Sequence, residues 1–257
     1  MRRLLPNLIP SLLLLASVPV LAGETVRFVA CPVYRDTDAG RKSGCWLGLD
    51  VDTGRRYDVS DAPFKPSVGR MMLVEGEVAA TPDICGGTPL APVRVAVLDT
   101  PCPEVLIPAE GYPSKPSVVP LDTMMAPLSV PRVPPPPPYS RQQYQVEFTF
   151  GDDRLMYQHV ENIIEKAALY AKASEARVEL VGNADVDGFK ASGTPMKEAP
   201  ALAQARAAMV REALLRLGVP AARIHVKMNL HPAALPGWPA ALALSSKRRV
   251  TITVVPR

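Results

Sequence analysis

Four charged residues stand where the local pattern makes charge informative. Asp185 follows the strand-like run Arg177 to Gly182. Arg206 lies on the next helical stretch, and Arg248 and Arg249 open the last strand. Carboxylates and guanidinium groups hold charged partners through charge-assisted hydrogen bonds, and the guanidinium fork suits a carboxylate in two-pronged geometry. Bond-breaking chemistry has no comparable support. The three histidines, His159, His225 and His231, sit beside no cysteine, serine or acid in a catalytic spacing. There is no glycine-rich phosphate loop and no metal-ligand motif, so the reading is not an enzyme, with no cofactor and no metal.

The cysteines carry the other readable chemistry. Cys31, Cys45, Cys85 and Cys102 all fall in the N-terminal part. An even count in an exported chain reads as disulfides. Of the three connectivities, the short loops Cys31–Cys45 and Cys85–Cys102 are expected. Zinc is disfavoured because there is no C-x-x-C pair and no nearby histidine.

Export follows from the N-terminus. Arg2 and Arg3 precede an apolar run from Leu8 to Val20, and Val20-Leu21-Ala22 fits a small-x-small cut after Ala22. The run is shorter than the ~20 residues of a spanning helix, and no later stretch is long enough, so no integral span is expected after cleavage. The formal charge of +4 includes Arg2 and Arg3. Residues 24–107 hold 9 basic and 12 acidic side chains, and residues 139–257 hold 16 and 11. The C-terminal half is thus mildly basic, too weakly for nucleic acid.

Composition divides the chain into a signal peptide at 1–22, a disulfide-containing β-domain at 23–107, a linker at 108–140 and a C-terminal domain at 141–257. Val26 to Ala30, Cys45 to Leu47, Arg56 to Val59, Met71 to Val78 and Pro92 to Leu98 read as short strands. Such strands suggest an all-β small barrel or sandwich, with an OB-like barrel as the first expectation. Gly76 marks a bulge. The linker collects prolines up to the run Pro134 to Pro138, which fix φ and remove donors. It reads as a spacer between two units that fold independently.

From Tyr144 onward, strand and helix alternate. Met156, Val160, Ile163, Ile164, Ala167 and Ala171 make one apolar stripe; Ala203, Ala207, Val210, Leu214 and Leu217 make a second. Pro200 suits the second helix's first turn and Gly218 its cap. The expectation is an α/β βαβαβ-β unit with helices packed on a mixed sheet.

These residues resemble the OmpA-like peptidoglycan-binding domain. The family carries Thr-Asp after a strand, Asn-x-x-Leu-Ser-x-x-Arg-Ala on the next helix and a closing Asn-Arg-Arg-Val. Asp185 falls on its Asp, Arg206 on its Arg, Leu202 and Ala207 on the Leu and Ala, and Arg248, Arg249 and Val250 on the closing motif. Phe148 and Phe150 match the opening strand. The chain departs at Ala184, Ala199, Ala203 and Lys247, which replace the family's Thr, Asn, Ser and Asn. Its segment from Asp185 to Arg206 is longer by several residues.

The resemblance implies a non-catalytic periplasmic protein that binds the diaminopimelate of peptidoglycan stem peptides; the family's membrane barrel is not expected, because no span repeats the ~10-residue alternating strands it needs. The ligand's ammonium would meet Asp185 and its carboxylate Arg206, with Arg248 and Arg249 as candidate rim residues. The N-terminal β-domain would be free to meet an envelope protein partner. Plainer roles compete: Asp185 can cap its turn, and Arg206 can be an exposed helix residue. The alternative function is a periplasmic scaffold whose degenerate OmpA-like domain binds a protein and no peptidoglycan.

Overall fold

The computed structural model describes residues 23–37, 44–109, 111–112, 129–155 and 158–256. The signal peptide and its cut, Met156, and the Pro-rich stretch over 113–128 lie outside the described residues. No described helix is long and apolar enough to cross a membrane.

The protein is mixed α/β. Strands β1 (Thr25–Ala30), β2 (Pro32–Arg35), β3 (Cys45–Asp50), β4 (Arg55–Asp58), β5 (Arg70–Val78), β6 (Thr88–Pro101) and β7 (Val105–Ile107) form one seven-stranded sheet in the order β1-β5-β6-β4-β3-β2-β7. β1 and β2 follow one another across Cys31, so the chain joins one end of this order to the strand beside its other end, β7, and the sheet curls on itself. Its inner face is set by alternation. Val26 and Phe28 of β1, Met72 and Val74 of β5, and Val93 and Val95 of β6 are buried together with Tyr57. The register of β5 on β6 shifts between Gly76 and Val78, where the sequence suggested a bulge.

The disulfides are Cys31–Cys102 and Cys45–Cys85, with Cα separations of 5.6 and 5.9 Å. The count of two matches the expectation, and the pairing corrects it. Arg35 of β2 faces Cys45 of β3. Cys31 therefore lies four residues along, roughly 13 Å at ~3.3 Å per residue, beyond the ~7 Å a disulfide can bridge. Cys85 and Cys102 flank the 14-residue β6 at opposite ends. Sheet register, not loop length, chose the partners.

The second sheet has four strands: β8 (Gln142–Glu147), β9 (Arg177–Asn183), β12 (Ile224–Asn229) and β13 (Arg249–Val255), in the order β12-β9-β13-β8. β12 runs parallel to β9, and β13 is antiparallel to both β9 and β8. Helices α1 (Gln158–Ala173) and α2 (Ala201–Arg216) cover one face. There Val178 and Leu180 of β9 and Val250, Ile252 and Val254 of β13 meet Val160, Ile164, Ala167 and Ala171 of α1 and Val210 and Leu214 of α2. At the β9–α2 contact a side chain on Gly182 would meet the Ala203 carbonyl oxygen and lie 2.9 Å from Ala207 Cβ. Glycine on the strand and alanines on the helix bring the backbones close, and this seats the next turn of α2, with Arg206, against the end of β9. A short hairpin between β9 and α2, β10 (Phe189–Ala191) with β11 (Thr194–Met196), has no counterpart in the sequence expectation.

The two sheets meet on a buried and charged surface. Arg248 pairs with Glu75 of β5, and both are nine-tenths or more buried. Arg27 Nε stands 3.5 Å from the same carboxylate, and Arg94 pairs with Glu147 at 2.6 Å. Burial raises the Glu147 pKa, against the opposing pull of Arg94. Val29, Leu73 and Ala96 of the first sheet cluster with Ala191 and Met196 of the hairpin, with Phe150 and Phe189 packed against them. The spacer's final residues also pack: Arg132 meets Glu165 at 2.7 Å, and Tyr139 meets Tyr170 of α1 edge-on. Separating the units would strand Glu75 and Arg248, which is costly for buried partners. Protease cleavage between residues 113 and 128 is therefore expected to leave two fragments that co-elute in size-exclusion chromatography, and separate peaks would contradict the contact.

Candidate functional site

The C-terminal end of β9 is where the charged residues converge. Arg206 projects from α2 into a site walled by the turn after β8, the end of β9 and the segment after β11. It is fully buried. Its guanidinium has five N–H groups, and the protein satisfies all five. Nε donates to the Asp152 carbonyl at 2.9 Å. One terminal nitrogen, Nη1, donates to the Asn183 carbonyl at 2.8 Å and to Glu198 Oε2 at 2.9 Å. The other, Nη2, donates to the Thr149 carbonyl at 3.1 Å and to Glu198 Oε1 at 2.5 Å. The Phe148 ring lies 5.4 Å from the guanidinium carbon.

Glu198 is the residue the sequence did not flag. Its side chain has no solvent exposure. Besides the two prongs of Arg206, its carboxylate accepts from the backbone N–H of Asp185 at 3.0 Å and of Gly151 at 3.1 Å. Burial alone would raise its pKa. The Arg206 hydrogen bonds and charge, with the two backbone donors, outweigh burial and hold it below the ordinary carboxylate value.

Asp185 is buried as well, at 1% exposure. Its backbone joins the Glu198 arrangement, while its side chain turns to Lys247. Lys247 Nζ is 3.1 Å from Oδ2 and 3.3 Å from Oδ1, and the contact with Oδ1 has hydrogen-bond geometry. Oδ2 has no hydrogen-bond partner in the structure. Lys247, the departure from the family's closing Asn, is thus the counter-ion of Asp185. Asp185 and Arg206 come to one site, joined through Glu198 rather than by a direct bond. The picture of Arg206 as an exposed helix residue is corrected: it is a core residue.

Arg248 and Arg249 do not stand at a rim. Arg248 faces Glu75 of the first sheet. Arg249 Nη1 donates to the carbonyls of Ser246 at 2.5 Å and Ala233 at 3.1 Å, and burial lowers its pKa. Arg249 alternates with Val250 and Ile252, which face the helices, and so points to the other face of β13, while Arg248 lies just before the strand. Asn183 braces the site, donating to the carbonyls of Val181 at 3.0 Å and Arg249 at 2.9 Å. Among the described residues no group of three His, Cys, Asp or Glu side chains comes together to hold a metal ion.

No family model and no curated protein matches the chain. Solved structures do match its C-terminal half. The OmpA-like domain of FopA1 from Francisella tularensis is 19% identical over 45% of this chain and 73% of that one, with a TM-score of 0.36. The peptidoglycan-associated lipoprotein from Burkholderia pseudomallei is 27% identical over 43% and 89%, at 0.34. The cell wall anchor of the T6SS from Pseudomonas aeruginosa is 20% identical over 46% and 82%, at 0.35. The C-terminal unit is similar to these OmpA-like domains.

Proposed function

We propose that the protein is a non-catalytic, periplasmic cell-wall-binding protein, exported with cleavage after Ala22, whose C-terminal unit takes the diaminopimelate of peptidoglycan stem peptides through Asp185 and Arg206. The observation that carries this reading is the carboxylate in the Arg206 fork. Glu198 occupies a seat of two guanidinium prongs and two backbone N–H groups, and such a seat suits the carboxylate end of a zwitterionic amino acid. The Asp185 carboxylate beside it, now paired with Lys247, is the group that would take the ammonium in place of that lysine. The resemblance supports the choice of ligand through the residues in register.

The domain boundaries at residues 107 and 140 belong to the same proposal, as does an OB-like character for the N-terminal barrel. Taking β1 and β2 as one strand, its pairing order joins the first and fourth strands and sets the third and fifth parallel, the order such a barrel would have. In this reading the barrel meets an envelope protein.

One observation favours the second reading, a scaffold that leaves the wall alone. Arg206 has no donor to spare while Glu198 is in place, and Ala184, Ala199 and Ala203 offer no side-chain donors around it. Sedimentation with purified sacculi separates the two. The wild type is expected to pellet, and Asp185→Asn to bind at least ~30-fold more weakly, because an unpaired ligand charge costs about 2–5 kcal/mol. A wild type that stays in the supernatant would hand the protein to the scaffold reading.

A further inference from the structure

We infer that Glu198 is a resident competitor for the ligand's carboxylate, and that the N-terminal barrel holds it in the site through the β10–β11 hairpin; the inference rests on the wall-binding reading above. Three observations lead there.

The first is occupancy. Every donor that a ligand carboxylate would use is already used by Glu198: two prongs of Arg206 and the N–H groups of Asp185 and Gly151. A guanidinium with five satisfied N–H groups cannot gain a sixth bond, so a ligand carboxylate enters only by exchange. The exchange is near balance in hydrogen bonds, one carboxylate for another. Glu198 has the advantage of being tethered, since an intramolecular group acts at a high effective concentration.

The second is where Glu198 comes from. It lies two residues beyond Met196, the end of β11, in the stretch by which this chain exceeds the family's usual length between Asp185 and Arg206. It leads directly into Pro200, which precedes α2. At the other end the hairpin starts from Gly188, with φ +74°, where a side chain would lie 2.5 Å from the Met196 carbonyl oxygen. The glycine lets the two limbs of the segment close on each other and bring Glu198 back over the end of β9.

The third is what grips the hairpin. Its strands do not join either large sheet. Its tip reaches the barrel instead: Ser192 Oγ accepts from the Val29 N–H of β1 at 3.2 Å. The Arg27 guanidinium lies 5.3 Å from the centre of the Phe189 ring, and the Arg248 guanidinium 5.9 Å. Phe150 meets Phe189 edge-on at 5.8 Å, and Ala191 and Met196 share an apolar cluster with Val29, Leu73 and Ala96 of the barrel. A hairpin too short to be stable alone is thus fixed by the barrel on one side and ends in Glu198 on the other. Anything that loosens the barrel's hold loosens the competitor. The barrel thereby becomes the control element of the wall site, and a partner bound to the barrel would reach that site through the hairpin.

The test measures binding of meso-diaminopimelate by isothermal titration calorimetry to the full mature chain, as wild type, Glu198→Gln and Phe189→Ala. Glu198→Gln keeps the size of the side chain and removes the charge that matches Arg206. Phe189→Ala leaves Glu198 in place and removes the ring between barrel and hairpin, so it decides the matter if Glu198→Gln does not fold by circular dichroism. Losing one charge-assisted contact in the competitor should tighten ligand binding about tenfold or more for Glu198→Gln, with a smaller gain for Phe189→Ala. Equal affinity in all three chains would overturn the competitor role and leave the wall-binding reading standing. Weaker binding by Glu198→Gln would also overturn it, making Glu198 part of the receptor. No binding in any chain would sink both readings together.

Discussion

Arg206→Ala is expected to lower the unfolding free energy by about 3–5 kcal/mol, the usual cost of removing one partner of a buried ion pair. The substitution strands the Glu198 carboxylate, which has no exposure, and leaves the carbonyls of Asn183, Thr149 and Asp152 without the donor that now reaches them. Urea denaturation followed by circular dichroism measures it. A loss under 1 kcal/mol would mean that Arg206 is solvated, contrary to the buried site described. Replacing both partners, as Glu198→Leu with Arg206→Met, should restore only part of the loss. Apolar pairs often replace buried ion pairs at little cost, but the backbone groups around this pair would still be unsatisfied. The size of this effect also limits what Arg206→Ala can say about ligands, which is why Asp185→Asn and Glu198→Gln carry the binding tests.

The second large effect is expected from the disulfides. The bond Cys31–Cys102 closes a separation of 71 residues and Cys45–Cys85 one of 40. In the chain-entropy account each contributes about 4 kcal/mol by restricting the unfolded chain. The double replacement Cys31→Ser, Cys102→Ser should therefore lower stability by about that amount while the partner disulfide remains. Non-reducing peptide mapping checks the pairing, and recovery of a Cys31–Cys45 peptide would contradict it.

What the sequence disclosed and what it withheld follow from how far each feature reaches along the chain. The stripe Ala203, Ala207, Val210 and Leu214 repeats within α2 and needs no other element to be seen. The strand β9 and its passage into Asp185 are likewise local. The disulfide partners depend on the register of β2 against β3, which residue spacing does not contain. Glu75 lies in the strongest strand pattern of the N-terminal half, yet its partner is Arg248, 173 residues away. Nothing local distinguishes it from a solvent-facing acid.

Glu198 was hidden for a related reason. It stands eight residues before Arg206, outside the helix, in a stretch that reads as a loop. The available signal was the extra length between Asp185 and Arg206 with one acid at its end. Lys247 looked like a lost position, and the structure gives it the Asp185 carboxylate instead. Arg248 and Arg249 matched a motif in register, but register fixes a place on a strand and leaves open what that face meets. Here one faces another sheet and the other faces its own preceding turn.

The most direct measurement is co-sedimentation of the mature wild-type protein with purified diaminopimelate-type sacculi, with and without excess free meso-diaminopimelate. Wall binding through the Arg206 seat predicts that the protein pellets, and that the free amino acid returns it to the supernatant. A protein that stays in the supernatant throughout, or that pellets equally with the competitor present, would contradict it.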